Sequence, residues 1–149
     1  MEAILLIGVP ASGKSTFFRE RFFSTHVRIN LDMLKTRHRE LRLFQTCLET
    51  GQPFVVDNTN ASRRERARYL IPARRAGFRA IGYYFRSSLR ESLRRNAARP
   101  EPERIPDQGV RGTHGRLELP SLDEGFDALY YVRLATPEGF VVEEWIDEV

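Results

Sequence analysis

The segment Gly8-Val-Pro-Ala-Ser-Gly-Lys-Ser15 follows a short apolar run and precedes a helical pattern over residues 14–23. It matches G-x-x-x-x-G-K-[ST], in which glycines let backbone N–H groups turn inward around a phosphate at a helix N-terminus. In such a loop Lys14 reaches the β- and γ-phosphates and the Ser15 hydroxyl binds Mg²⁺. A chance match in a glycine-containing turn is the alternative, but it leaves the flanking strand and helix unexplained. The segment therefore predicts a nucleoside triphosphate site built from Gly8, Ala11, Ser12, Gly13, Lys14, Ser15 and Thr16.

Short apolar runs alternate with longer helical patterns along the chain, which is typical of βαβ units and a mostly parallel sheet. The first and third runs are continuously apolar, as expected of strands that helices cover on both faces. Residues 130–145 have the pattern of a hairpin with its turn at about 136–139. The predicted strands are 3–7, 27–29, 54–56, 79–85 and 128–133.

Helix signals lie between these runs. Apolar residues near a 3.6-residue period predict a helix over 32–50, with Gly51 at its C-terminus. Two capping-box spacings, each a serine with a glutamate three residues later, predict helices over 63–76 and 89–99. Pro72 is expected to kink or shorten the first of these two helices, because proline lacks the N–H that a helix interior needs.

Composition limits the class of protein. The chain has 149 residues, of which 41% are hydrophobic and 30% charged, as is ordinary for one soluble globular domain over 1–149. Cys47 is the only cysteine, so an internal disulfide is excluded. The longest apolar run is too short for a signal peptide or a membrane span. We therefore expect a cytoplasmic protein that has no membrane partner.

Positive charge is concentrated in one part of the chain. The net charge is +4, but residues 63–104 contain 13 arginines and four acidic residues, a local balance of +9. Such asymmetry suggests that one face of the protein meets a polyanion. A solvated helical surface is the alternative interpretation of these arginines.

Asp32 directly follows the second predicted strand, in the sequence Asn30-Leu-Asp32. In a doubly wound sheet, loops at the carboxyl ends of the strands line the ligand crevice. A carboxylate at this position can accept the proton of an attacking hydroxyl, which a kinase requires. The alternative is that Asp32 only caps the next helix.

Asp57 ends the third predicted strand, in the sequence Asp57-Asn-Thr-Asn60. An aspartate at the tip of a buried strand beside the phosphate-binding loop is placed to hold Mg²⁺, usually through water. Capping of the helix that opens near Ser62 is the alternative, although Asn60 is already available for that role.

Arg95 and Arg99 are four residues apart in the predicted helix 89–99 and would therefore share one face. Three prolines and two glycines follow over 100–112, which predicts a long irregular loop. Together the helix and loop predict a lid over about 88–112 that brings guanidinium groups to the transferring phosphate. A solvent-facing arginine pair that interacts with Glu91 is the alternative.

In combination, these motifs resemble the polynucleotide 5′-kinase domain of the polynucleotide kinase/phosphatase enzymes that heal nucleic-acid ends. The resemblance covers most of the chain, from Ile4 to about Arg133. It implies an α/β fold of the P-loop kinase type, with three layers, about five strands in the order 2-3-1-4-5, and a helical lid. Its motifs are the phosphate-binding loop, N-x-D at 30–32, D-N-T-N at 57–60, R-N-x-x-R at 95–99, and Pro120 with Glu124-Gly-Phe126.

The resemblance also implies roles for individual residues. Asp32 would be the general base toward the 5′-hydroxyl, with Lys14 and Arg99 on the β- and γ-phosphates. Lys35 stands where the phage-type enzyme has an arginine that grips a substrate phosphate, and lysine keeps the charge but loses the bidentate geometry. The catalytic set is then Asp32, Lys14 and Arg99; Arg95 and Arg99 join the nucleotide site; Asp32, Lys35, Asp57 and Asn58 bind substrate; and Ser15 and Asp57 hold Mg²⁺.

The function expected from these features is transfer of the γ-phosphate of ATP, or of another nucleoside triphosphate, to the 5′-OH end of DNA or RNA. A small-molecule kinase acting on a sugar, nucleoside or antibiotic would share Lys14, Ser15 and Asp32. A non-catalytic nucleic-acid-binding module that uses its nucleotide as a switch would have no need of Asp32.

Overall fold

The computed structural model describes residues 1–86, 88–135 and 139–146. Within these ranges the strands are β1 (Glu2–Ile7), β2 (Val27–Ile29), β3 (Phe54–Asp57), β4 (Arg79–Phe85), β5 (Ala128–Ala135) and β6 (Gly139–Glu144). They form one sheet in the order β2-β3-β1-β4-β5-β6. The first five strands are parallel and β6 is antiparallel to β5. The predicted order is therefore confirmed, with a sixth strand completing the expected hairpin; its turn residues 136–138 lie outside the described residues.

The central strand β1 is buried on both faces, which explains its continuously apolar sequence. Successive side chains of a strand point to opposite faces. Leu5 and Ile7 pack in a cluster with Phe54 of β3, whereas Ile4 and Leu6 pack in a second cluster, with residues of the helix after β1. The sheet is thus the middle layer of three, as expected of a parallel sheet that helices cover on both sides.

The described helices are α1 (Lys14–Arg21), α2 (Leu31–Leu34), α3 (Arg37–Thr50), α4 (Arg63–Arg75), α5 (Leu89–Ala97) and α6 (Asp107–Arg116). Ser62 and Ser88 cap α4 and α5, as their spacing predicts. Pro72 does not end α4, which continues for three more residues. Among the described helices, none is long and apolar enough to cross a membrane.

The predicted helix over 32–50 is two helices in the structure. Lys35 has a φ of 75°, which is outside the helical region and ends α2 after a single turn. The hydroxyl of Thr36 then accepts a hydrogen bond from the N–H of Arg39 and caps α3. A threonine side chain that offers the backbone this bond competes with a continuous helix, and the apolar periodicity does not reveal the break.

The prediction of an irregular loop over 100–112 is wrong. A 3₁₀ turn covers Glu101–Glu103, and α6 begins at Asp107. Pro100 and Pro106 immediately precede these elements, where the missing N–H costs nothing. The buried amide of Asn96 in α5 donates to the carbonyl of Ile105 at 2.6 Å and accepts from its N–H at 3.0 Å. The predicted lid is therefore a pair of helices joined by this amide.

A buried ion pair connects α4 with the segment before β5. Arg66 and Glu124 have side chains that are 0% and 4% exposed, and both carboxylate oxygens accept from the guanidinium, at 2.8 and 3.1 Å. Arg66 also donates to the carbonyls of Asn60, Ala61 and Glu118. One side chain thus holds the end of the β3–α4 connection against the chain that returns to the sheet.

We predict that Arg66→Ala lowers the free energy of unfolding by about 3–5 kcal/mol, because it leaves the Glu124 carboxylate buried without a cationic partner. Chemical denaturation measures this change. The control is Arg63→Ala on the same helix, which removes an exposed ion pair with Asp123 and is expected to leave stability unchanged. Equal effects of the two substitutions would contradict the importance assigned to burial.

Candidate active site

A cavity of about 260 Å³ opens where the parallel strands β1, β2 and β3 end. The carboxyl ends of neighbouring parallel strands meet at one edge of a sheet, and ligands of open α/β folds bind there. The phosphate-binding loop forms one wall of this cleft, and residues after β2, β3 and α5 form the others. The lining includes Ala11, Lys14, Ser15, Asn30, Asp32, Arg37, Asp57, Asn58, Arg68, Tyr69, Arg99 and Arg116.

The phosphate-binding loop has the backbone geometry that its glycines predict. Gly13 has a φ of 101° and is the N-cap of α1, where it supplies no side-chain hydrogen bond to the first N–H groups of the helix. Those N–H groups are the donors that an anion accepts at a helix N-terminus. At Gly8 a Cβ atom would lie 2.9 Å from the Ser12 hydroxyl, so this turn needs glycine.

Lys14 is buried beneath this loop. Its ammonium donates to the carbonyls of Gly8 and Val9, both at 2.8 Å. Burial lowers the pKa of Lys14 from 10.5 to about 8, Asp57 and Asp32 oppose the shift, and Arg99 adds to it. The lysine, both aspartates and Arg99 all line the same cleft.

Ser15, Asp57 and Arg28 form a triangle beside Lys14. The Ser15 hydroxyl donates to Oδ2 of Asp57 at 3.0 Å, and the same oxygen accepts from Nε of Arg28 at 2.8 Å. Nη2 of Arg28 also donates to the Ser15 hydroxyl, at 3.0 Å. The sequence predicted the first two residues and missed Arg28, whose one signal is a charged residue inside a three-residue strand.

The oxygen atoms of Ser15 and Asp57 suit a hard cation. A hydroxyl oxygen and a carboxylate oxygen are ligands that Mg²⁺ binds, with phosphates and water completing its coordination shell. The Asp57 carboxylate is only 2% exposed, so solvent screens its negative charge only weakly. The donor set therefore fits Mg²⁺. Asp57 is not the cap of α4, a role that Ser62 takes.

Asp32 lies in the first turn of α2, but Asn30 is the residue that caps this helix. The side-chain oxygen of Asn30 accepts from the N–H of Met33 at 2.8 Å, and its side-chain amide donates to the backbone carbonyl of Asp57. The Asp32 side chain is exposed in the cleft and makes no hydrogen bond or ion pair within the described part of the chain. The capping interpretation of Asp32 is therefore wrong.

A buried polar network supports the turn that carries Asp32. The side-chain oxygen of Asn58 accepts from the N–H of Leu31 at 2.9 Å, and its amide donates to Glu40 at 2.9 Å. Glu40 is 3% exposed and also accepts from Tyr69 and Arg37, both at 2.8 Å. Burial, with Glu40 adding to the effect, raises the pKa of Tyr69. Sequence reasoning missed Glu40 because a glutamate in a helix usually faces solvent.

The other predicted residues lie less centrally. Arg99 lines the cleft, but it follows α5 instead of sharing a helical face with Arg95. Arg95 lies outside the cleft lining, 3.5 Å from Glu91, which is the arrangement of the alternative interpretation. Lys35 and Thr16 are exposed and also lie outside the lining.

The fold and this site define a P-loop kinase, a kinase-type phosphotransferase. The family model described as an AAA domain matches residues 4–120, and the chain belongs to that family. A curated relative, the bifunctional polynucleotide phosphatase/kinase of Schizosaccharomyces pombe, is 26% identical over 129 residues. The match covers 84% of this chain and 32% of that protein, so the chain spans about a third of the length of its relative.

Two solved structures have the same fold. Chaetomium thermophilum Kti12 in complex with ADP-AlF3 is 16% identical, with a TM-score of 0.68 over 91% of each chain. A gluconokinase from Sinorhizobium meliloti is 19% identical, with a TM-score of 0.65 over 91% of this chain and 84% of that one. At these identities the likeness concerns the fold alone.

We predict that Lys14→Ala weakens ATP binding at least about tenfold while the protein stays folded, because the lysine charge acts on phosphates and charge-assisted contacts are strong. Isothermal titration calorimetry measures the affinity and circular dichroism the fold. Lys35→Ala, at the other lysine of the chain, serves as the control and is expected to bind ATP as the wild type does. An unchanged affinity of Lys14→Ala would remove the phosphate role from this residue.

Proposed function

We propose that this domain is an ATP-dependent polynucleotide 5′-hydroxyl kinase that transfers the γ-phosphate of a nucleoside triphosphate to the 5′-OH end of DNA or RNA. The observation that carries this proposal is the set of side chains that line the cleft beside the phosphate-binding loop. There an exposed carboxylate, Asp32, which has no hydrogen bond of its own in the described chain, shares the cleft with Arg37, Arg68, Arg99 and Arg116, of which Arg37 and Arg116 pair with glutamates. A base in a cleft that also holds cationic side chains suits a hydroxyl that carries phosphodiesters behind it.

In this proposal each residue of the cleft has a chemical task. Asp32 accepts the proton of the 5′-hydroxyl, and Lys14 and Arg99 neutralise charge on the β- and γ-phosphates. Ser15 and Asp57 hold Mg²⁺, which when bound supplies further positive charge at the same phosphates. Asn58 positions the turn that carries Asp32 through its bond to the N–H of Leu31.

Two predicted residues have weaker support from the geometry. Lys35 is exposed at the end of α2, three residues after Asp32, and is proposed to contact an acceptor phosphate outside the cleft. Arg95 is proposed to reach the nucleotide only if α5 moves toward the cleft, because its guanidinium lies beside Glu91. Thr16 remains a proposed nucleotide contact next to Ser15.

Five of the thirteen arginines of residues 63–104 form two groups that bear on the proposal. Arg66 is buried in an ion pair, and Arg63 and Arg95 interact with acidic neighbours. Arg68 and Arg99 instead line the cleft. The local excess of positive charge is therefore partly structural, and only the second group supports the proposal of a polyanionic substrate.

The name of the Schizosaccharomyces pombe relative supports a polynucleotide acceptor, and the proposal concerns its kinase reaction alone. The gluconokinase fold neighbour keeps a small-molecule acceptor as the second candidate. The deciding experiment supplies labelled ATP, Mg²⁺ and either a 5′-OH oligonucleotide, a free nucleoside or a panel of sugars. We expect the highest kcat/KM with the oligonucleotide, whereas preference for a sugar or free nucleoside would reject the proposal.

We predict that Asp32→Asn lowers turnover on a 5′-OH oligonucleotide by at least about a hundredfold, since removal of a general base typically costs 10²–10⁴-fold. ATP and oligonucleotide affinities are expected to stay unchanged, because the amide keeps the size of the side chain. Single-turnover kinetics and direct binding separate the two effects. The control is Asp123→Asn, at an exposed carboxylate outside the cleft; loss of ATP binding by Asp32→Asn would contradict the role of base.

We also predict that oligonucleotide affinity falls steeply with salt, with a slope of log K against log salt of about −0.7 for each neutralised phosphate. Arg68→Gln is expected to reduce the magnitude of this slope by about 0.7, since it removes one cleft cation. Arg64→Gln, on the same helix but outside the lining, is the matched control. Equal slopes for the wild type and both variants would exclude Arg68 from the phosphodiester contact.

A further inference from the structure

Arg28 makes contacts that the proposed reaction does not explain. It extends from β2. Its Nε atom lies 2.8 Å from Oδ2 of Asp57, and its Nη2 atom lies 3.0 Å from the Ser15 hydroxyl. These are the two oxygen groups assigned to Mg²⁺ under the proposed function. A guanidinium and a divalent cation would thus bind the same pair of oxygen groups.

The two cations compete for this pair, because each would place its positive charge beside the same oxygen groups. Mg²⁺ binds its oxygen ligands at about 2.0–2.1 Å and in near-octahedral geometry. Its charge would then stand within a few ångströms of the guanidinium, with Oδ2 of Asp57 already accepting from both Arg28 and Ser15. We propose that Arg28 is a built-in competitor of the metal, so that Mg²⁺ loads the nucleotide site only by displacing this guanidinium from Ser15 and Asp57. This inference rests on the proposed magnesium site.

The surroundings of Arg28 offer the guanidinium a second position. Its side chain is 28% exposed, and the guanidinium carbon lies 5.9 Å from the centre of the Phe18 ring. A groove lined by Phe18, Phe23 and Met33 begins at this point, and Arg28 and Ser15 border it. A guanidinium that leaves the two oxygen atoms can therefore stay over an aromatic face and reach water, without burial of an unpaired charge.

The arrangement also keeps Asp57 compensated in both states. A carboxylate that is 2% exposed would be costly without a positive partner. Arg28 supplies that partner when the metal is not bound, and Mg²⁺ supplies it afterwards. Binding of Mg²⁺ therefore requires that the contacts of Arg28 with Ser15 and Asp57 be broken. This requirement raises the Mg²⁺ concentration at which the nucleotide binds.

The experiment measures ADP binding as a function of Mg²⁺ concentration, in the absence of any acceptor, for the wild type and for Arg28→Gln. The neutral amide cannot hold the two oxygen groups as a cation does, so we expect the Mg²⁺ midpoint to fall about tenfold. Arg79→Gln is the matched control, since it removes one exposed arginine at the start of β4, at the end of the strands opposite to the cleft. Its midpoint is expected to equal that of the wild type.

An unchanged or higher midpoint in Arg28→Gln, or an equal fall in Arg79→Gln, would overturn the competition. If Mg²⁺ has no effect on ADP binding even in the wild type, the proposed magnesium site fails and the inference fails with it. Thermal denaturation reports whether each variant is folded. Arg28→Lys is used if the glutamine variant does not fold. A lysine ammonium cannot bridge both Ser15 and Asp57 as the guanidinium does, so we expect a smaller fall of the Mg²⁺ midpoint. An unchanged midpoint in this variant would reject the inference. Because no acceptor is present, the result is independent of the acceptor that the kinase uses.

Discussion

The buried carboxylate of Asp57 is the constraint around which the site is organised. A charge at the tip of β3 with 2% exposure is stable only if donors and cations surround it. It obtains the Ser15 hydroxyl from α1, the Arg28 guanidinium from β2, and the electrostatic attraction of Lys14. Two consecutive elements of the chain, α1 and β2, are thereby tied to the carboxyl end of the third strand.

A second set of polar contacts builds the opposite wall of the cleft. Asn58 follows Asp57 directly and connects the N–H of Leu31 to Glu40, which Tyr69 and Arg37 also contact. Residues of α2, α3 and α4 are joined through these bonds to the residue that follows β3. Because every member of such a network is satisfied, it fixes one arrangement of the wall and not several. The two walls of the cleft are therefore held together at the 57–58 peptide.

The sequence predicted those parts of the structure that local patterns encode. The phosphate-binding loop and the positions of Asp32 and Asp57 after strand ends follow from motifs within a few residues, whereas the strand order came from the family resemblance that these motifs carry. Arg28 and Glu40 were missed because their partners are 29 and 18 residues away along the chain, and an isolated charged residue predicts only a solvated surface.

The lid was misjudged for a related reason. Prolines and glycines over 100–112 predict a loop when they are counted, but their positions before helical turns make them compatible with helices. The amide of Asn96, which fixes the start of this helical segment, lies nine residues from Ile105. A long-range contact of that kind has no local sequence signal.

The break between α2 and α3 separates two properties that a single long helix would couple. Asp32 belongs to a four-residue turn that ends at Lys35, whereas Glu40 and the remaining helix start after a new cap at Thr36. Changes of sequence along the exposed face of α3 can therefore alter that surface without rotating the Asp32 carboxylate. Under the proposed function, the base would stand on a separate segment from this surface, so the surface could diverge while the phosphate chemistry stays constant.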